Sequence, residues 1–67
     1  MEMKELGRLI KERRKNLGLT QAYLAALSNT GIRFIIELEA GKPTVQVNKV
    51  LDVLNVLNLK VEIKVNE

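Results

Sequence analysis

The spacing of apolar and polar residues changes once along this chain. It is helical through residue 58 and drops to two at the end. Leu6, Leu9, Ile10 and Leu17 recur at helical intervals and predict a first helix over Glu2–Asn16. "NLGL" ends it, with Gly18 as a left-handed cap residue. A short second helix is predicted over Gln21–Leu27, with Thr20 as its N-cap. Leu24 and Leu27 mark its core side, and Ala22, Ala25 and Ala26 let a neighbour come close. "SNT" makes the connection, where Asn29 tolerates left-handed geometry. A third helix spans Gly31–Ala40, stopped by Gly41 and then Pro43. The fourth spans Val45–Leu57, with Thr44 as N-cap and a stripe of Val47, Val50, Leu51, Leu54 and Leu57. Asn58 stands where a helix-ending glycine is common.

"LKVEIKV" then sets Leu59, Val61, Ile63 and Val65 against Lys60, Glu62 and Lys64. That is a half-buried strand, and no second strand-like run accompanies it. A lone strand leaves its backbone donors and acceptors unpaired. Pairing with the same strand of a second copy about a two-fold axis is the economical solution. A frayed tail, or a segment lying along the helices, are the alternatives. Val56 lies opposite the stripe of the fourth helix, with Val53 to one side, and adds apolar surface that a dimer would cover. The chain thus divides into a domain over 1–58 and a dimerisation strand over 59–67.

The third helix has two apolar faces. At about 100° per residue, Phe34, Ile35 and Leu38 gather on one side, which is the core face. Arg33 and Ile36 fall opposite, flanked by Ile32 and Glu37. Outward isoleucines on a small domain are a liability unless something binds there. Two short helices with a tight turn, the second presenting outward residues, form a helix-turn-helix. Its second helix enters the DNA major groove, where arginine bonds guanine and apolar side chains meet the thymine methyl. The other reading is a helical hairpin with a second hydrophobic surface.

Composition narrows the possibilities. With 67 residues the chain is a single domain, and one of this size often needs an oligomer, a metal or a disulfide. It has no cysteine and no histidine, so disulfides, zinc-finger ligand sets and nucleophile–histidine pairs are excluded. No metal or cofactor is expected. Glu37 and Glu39 diverge on their helix, and no glycine-rich phosphate loop exists, so an enzyme is not expected. No apolar run reaches the ~20 residues of a membrane span, and no signal peptide is seen; the expected location is the cytoplasm. Net charge is +3, with a basic cluster "KERRK" at 11–15. That fits nucleic acid or another anionic surface, and equally a solvated helix face. Tyr23 and Phe34 are the only aromatics, which argues against a base-stacking reader of single strands.

"GLTQAYLAALSNTGIRFIIELEAGKPTV" resembles the Cro/repressor-type (XRE) helix-turn-helix family. Within it, "GIRFIIELEAGKPTVQ" followed by "KVLDVLNVLNL" is similar to HipB-type antitoxins. The resemblance runs from about Leu6 to Val65. It implies an all-α, lambda-repressor-like bundle of four to five helices with a C-terminal β-strand that pairs across a homodimer. Val53, Val56, Leu59, Val61, Ile63 and Val65 are the expected dimer interface. The resemblance implies that Gln21 contacts a phosphate and braces the third helix. Gly31, Ile32, Arg33 and Ile36 would face the groove, and Lys42 would lie along the phosphates. Arg14, Thr20 and Thr30 complete the expected DNA-binding set. Arg14 and Glu39 resemble the family's ion pair, although periodicity places Arg13 nearer the stripe of the first helix. Asn29 and Thr30 depart from the family's glycine and apolar residue in the turn.

The implied function is sequence-specific repression from a near-palindromic operator on double-stranded DNA, by a bacterial, nucleoid-associated antitoxin that also binds a HipA-like kinase toxin. A stand-alone repressor without a toxin, and a protein-interaction module that does not read DNA, are the alternatives.

Overall fold

The computed structural model describes residues 1–66 and contains four helices: α1 Met3–Asn16, α2 Gln21–Leu27, α3 Ile32–Glu39 and α4 Val47–Val56. Among the described residues they are the only regular elements, so the fold is all-α. The expected C-terminal β-strand has no ladder within the chain; residues 59–66 form neither helix nor bridge. Glu67, the last residue of that expected segment, lies outside the described residues. α1 and α2 pack on α3, and α4 packs on α2. The core is Ile10, Leu24, Ala25, Ile35, Leu38, Val50, Val53, Leu54 and Leu57.

All four helices stop by the same device. The residue after each C-cap is left-handed: Gly18 at φ 71°, Asn29 at 56°, Gly41 at 83° and Asn58 at 57°. Two backbone hydrogen bonds close each end, as in Leu19 N–H to Arg14 O at 3.0 Å with Gly18 N–H to Lys15 O at 2.9 Å. After α4 the corresponding pair is Leu59 N–H to Leu54 O and Asn58 N–H to Asn55 O. These bonds satisfy carbonyls that a helix end otherwise leaves orphaned. Asparagine serves at two of the four sites because its side chain eases the left-handed conformation that other L-residues resist. Gly41 has a second constraint, since a Cβ there would lie 2.6 Å from the Lys4 Cα.

The starts of the helices are less uniform. Thr20 caps α2 as expected, its Oγ1 accepting from the Tyr23 N–H at 3.0 Å. α4 begins at Val47, two residues later than expected, and its N-cap is Gln46 rather than Thr44. The cause is packing: Val45 is used from the loop, partly buried against the core, before the helix begins.

Three stripes also turn out differently from expectation. Leu9 and Leu17 of α1, Leu27 of α2, and Val47 and Leu51 of α4 are exposed rather than core. α4 buries Val50, Val53, Leu54 and Leu57 instead. Both selections have helical spacing; docking on α2 decides between them, and it turns Val53 inward. Val53 is fully buried in its own chain, which corrects its place in the expected dimer interface. Val56 is partly buried against the same core.

Gly7 sets the approach of α1 to α3. A Cβ at that position would stand 2.5 Å from the Leu38 carbonyl oxygen and 2.6 Å from that of Glu39. Only a residue without a side chain lets the two backbones meet so closely. A glycine inside a helical pattern signals such an approach.

Candidate nucleic-acid interface

Arg14 lies two turns beyond Gly7 on nearly the same face of α1, and there it meets the last residue of α3. Its Nε donates to Glu39 Oε2 at 2.6 Å and its NH2 to Oε1 at 3.0 Å. Its NH1 donates to the Leu19 carbonyl at 2.8 Å, in the loop that leads into α2. Gln21, the first residue of α2, donates from Nε2 to Glu39 Oε1 at 3.1 Å. One carboxylate therefore ties α1, α2 and α3 together. Both side chains of the pair are buried, at 8% and 3% exposure. The Glu39 hydrogen bond raises the Arg14 pKa above its usual value, burial opposes this, and the charge of Glu39 adds to the rise. No buried side-chain nitrogen or oxygen among the described residues lacks a partner.

This geometry corrects two expectations. Arg14 was expected among the DNA-binding groups, but its guanidinium is enclosed and its donors face Glu39 and Leu19. It holds α1, the head of α2 and the end of α3 together and is largely removed from solvent. The basic cluster at 11–15 is also less basic at the surface than its sequence suggests. Arg13 donates from Nε to the Leu57 carbonyl at 3.0 Å, an acceptor at the end of α4. Two of the cluster's four cations thus work inside the fold. Spacing alone favours Arg13 as the inward residue, yet Arg14 is the more deeply buried of the two and Arg13 only half-buried; the partner decides.

The outward face of α3 carries Ile32, Arg33 and Ile36. The isoleucines are half-exposed, whereas Ile35 and Leu38 on the opposite face are fully buried. Arg33 has an 89% exposed side chain and lies 3.8 Å from Glu37. Glu37 also accepts from Lys42 Nζ at 3.0 Å. These exposed pairs are worth ~0–1 kcal/mol and exchange readily for a phosphate or a base edge. Gly31 caps α3 without a side-chain bond, and a Cβ there would meet nothing within 4 Å. Thr20 is exposed at the head of α2, and Thr30 is partly buried with its Oγ1 3.1 Å from Ser28 Oγ. The structure thus gathers Ile32, Arg33, Ile36 and Lys42 on or beside one exposed helix, and Gln21 next to its anchor.

The four-residue turn Ser28–Gly31 joins α2 to α3 as a helix-turn-helix. A helix-turn-helix family model, HTH_3, matches residues 10–63. The chain belongs to the helix-turn-helix family. That family, of the XRE type, is one of transcription regulators and is typically non-enzymatic. The chain is similar to the HTH-type transcriptional regulator y4mF of Sinorhizobium fredii, at 46% identity over 59 residues, covering 88% of this chain and 78% of that protein. In structure it resembles the restriction-modification controller protein C.AhdI of Aeromonas hydrophila, with a TM-score of 0.77 and 26% identity over 87% of this chain and 84% of that one. It also shares its fold with a chain of the HipA-HipB-O2-O3 complex, with a TM-score of 0.88 and 19% identity over 100% of this chain and 94% of that one. No helix among the described residues of this helix-turn-helix protein is long and apolar enough to cross a membrane.

The buried pair yields a stability prediction. Glu39→Ala leaves Arg14 charged and unpaired, and is expected to cost ~3–5 kcal/mol in urea unfolding. That approaches the whole stability of a domain this size. The double change Arg14→Met with Glu39→Leu is expected to recover most of the loss. A Glu39→Ala variant within ~1 kcal/mol of the parent would contradict the assignment.

Proposed function

We propose that this regulator acts as a homodimeric repressor that lays α3 of each copy in the major groove of a near-palindromic operator. The observation that carries the reading is the outward face of α3. An exposed guanidinium, paired only weakly with Glu37 and set between two half-exposed isoleucines, can bond a guanine while meeting thymine methyls. Gly31 would face the groove beside them, and Lys42, Thr20, Thr30 and Gln21 would hold the backbone and the register, contacts that position without specifying. Two such helices would sit ~34 Å apart, one helical turn of DNA.

The fold shared over the full chain with the HipA–HipB complex supports a finer reading. In it the protein is the antitoxin of a HipA-type kinase and represses its own operon. The controller protein among its structural relatives supports the simpler reading of a stand-alone regulator. Co-expression with the product of the neighbouring gene separates them: a kinase-like protein that co-purifies through size exclusion favours the antitoxin, and a regulator that elutes free of it favours the other.

The DNA reading is tested by a mobility-shift titration on the protein's own promoter across a salt series. Affinity is expected to fall steeply with salt. Arg33→Ala is expected to lose ~1–3 kcal/mol of operator binding while keeping most of its non-specific binding. Operator binding that ignores salt, or that survives intact in Arg33→Ala, overturns the proposal and favours a protein-binding role for the Ile32–Ile36 surface.

A further inference from the structure

Of the two acidic side chains on α3, only Glu37 reaches the surface, since Glu39 is buried against Arg14. At about 100° per residue Glu37 falls beside Arg33, on the face that also carries Ile32 and Ile36. Its Oε2 lies 3.8 Å from Arg33 Nε and accepts from Lys42 Nζ at 3.0 Å. Lys42 is held at both ends, because its backbone N–H donates to the Glu37 carbonyl at 3.0 Å. One carboxylate oxygen thus serves both cations, and no donor among the described residues reaches Oε1.

Helix stability does not account for this carboxylate. Glu37 stands in the last turn of α3, where the helix dipole disfavours an anion. Its i, i+4 pair with Arg33 runs with the cation first, the weaker of the two orders. An anion on a surface that meets phosphates also repels them. The chemistry of the groove supplies a use for it. A carboxylate accepts hydrogen bonds and donates none. In the major groove guanine and thymine offer it acceptors, whereas cytosine N4 and adenine N6 donate. Each base pair carries its exocyclic amine on one strand only, so the orientation of the pair decides what a carboxylate meets.

We infer that Glu37 is a specificity-determining residue: it holds Arg33 and Lys42 in the free protein, and on the operator it releases them and accepts from the exocyclic amine of a base. This rests on the DNA reading proposed above and deepens it. Arg33 and Glu37 are ~6 Å apart along α3, close to two base-pair steps of ~3.4 Å. The amine therefore belongs to a pair one or two steps from the guanine that Arg33 bonds. Where that pair is reversed, Glu37 faces an acceptor, stays on Arg33 and Lys42, and keeps both from the DNA. The same carboxylate that favours the operator thus weakens binding to bulk DNA.

The test is enrichment from a pool of duplexes in which the protein's own promoter is randomised, using the parent, Arg33→Ala, Glu37→Ala and Glu37→Gln. The parent is expected to fix a guanine at one pair and the orientation of a second pair one or two steps away. Arg33→Ala is expected to relax the first. Glu37→Ala is expected to relax the second, with a loss of roughly tenfold in discrimination there. Glu37→Gln separates the two amines: a cytosine chosen by the parent gives way to adenine on the same strand, and an adenine chosen by the parent is retained. On bulk DNA both Glu37 variants are expected to bind more tightly than the parent, with a salt slope steeper by about one unit. A sequence preference unchanged by both Glu37 variants, or bulk DNA bound no more tightly by them, overturns this role for Glu37. A parent that enriches no sequence overturns the underlying DNA reading instead.

Discussion

At the point where α1, the head of α2 and the tail of α3 converge, a buried guanidinium and carboxylate hold each other, and the helix-turn-helix half of the fold depends on that contact. Arg14 grips Glu39 with two nitrogens and the Leu19 carbonyl with a third, while Gln21 adds a fourth bond. Such a pair is a poor source of net stability, because desolvation offsets most of the attraction. Its effect is on geometry. An apolar replacement could fill the same space, but it would not fix the rotation of α3 against α1 and α2. Gly7 makes the contact possible by letting the α1 backbone reach the carbonyls at the end of α3.

That rotation separates the two apolar faces of α3. Ile35 and Leu38 anchor the helix inside, and Phe34 packs at the margin. Ile32, Arg33 and Ile36 remain outside. Glu37 lies between Arg33 and Lys42 and partners both weakly, which keeps two cations near the surface without burying either. Other exposed cations, Lys4, Arg8, Lys11 and Lys15 of α1 and Lys60 and Lys64 of the C-terminal segment, add positive charge elsewhere on the surface. The larger basic cluster on α1 contributes less, because Arg13 and Arg14 turn inward.

Much of this was legible in the residues. Gly18, Asn29, Gly41 and Asn58 mark the four helix ends because the left-handed cap demands those residue types, and the demand is local. The two faces of α3 follow from spacing alone. What spacing could not resolve was the rotation of α1 and α4. Leu51 and Val53 flank opposite edges of the stripe that Val50, Leu54 and Leu57 make, and Val53 is the one that is buried. The start of α4 was missed for a related reason, since Thr44 is a good cap but Val45 is drawn into the core first. Arg14's partner was legible only through family resemblance, and its burial turns its donors toward Glu39 and the Leu19 carbonyl.

The central claim, that the buried pair orients α3 for DNA, can be separated from its effect on folding. The doubly apolar variant, Arg14→Met with Glu39→Leu, should fold; its affinity for the protein's own promoter, relative to bulk DNA at the same salt, is the measurement. A loss of roughly tenfold or more in that ratio, with the thermal melt preserved, is the expected result. An unchanged ratio in a folded variant would mean that packing alone sets the recognition helix, and would contradict the claim.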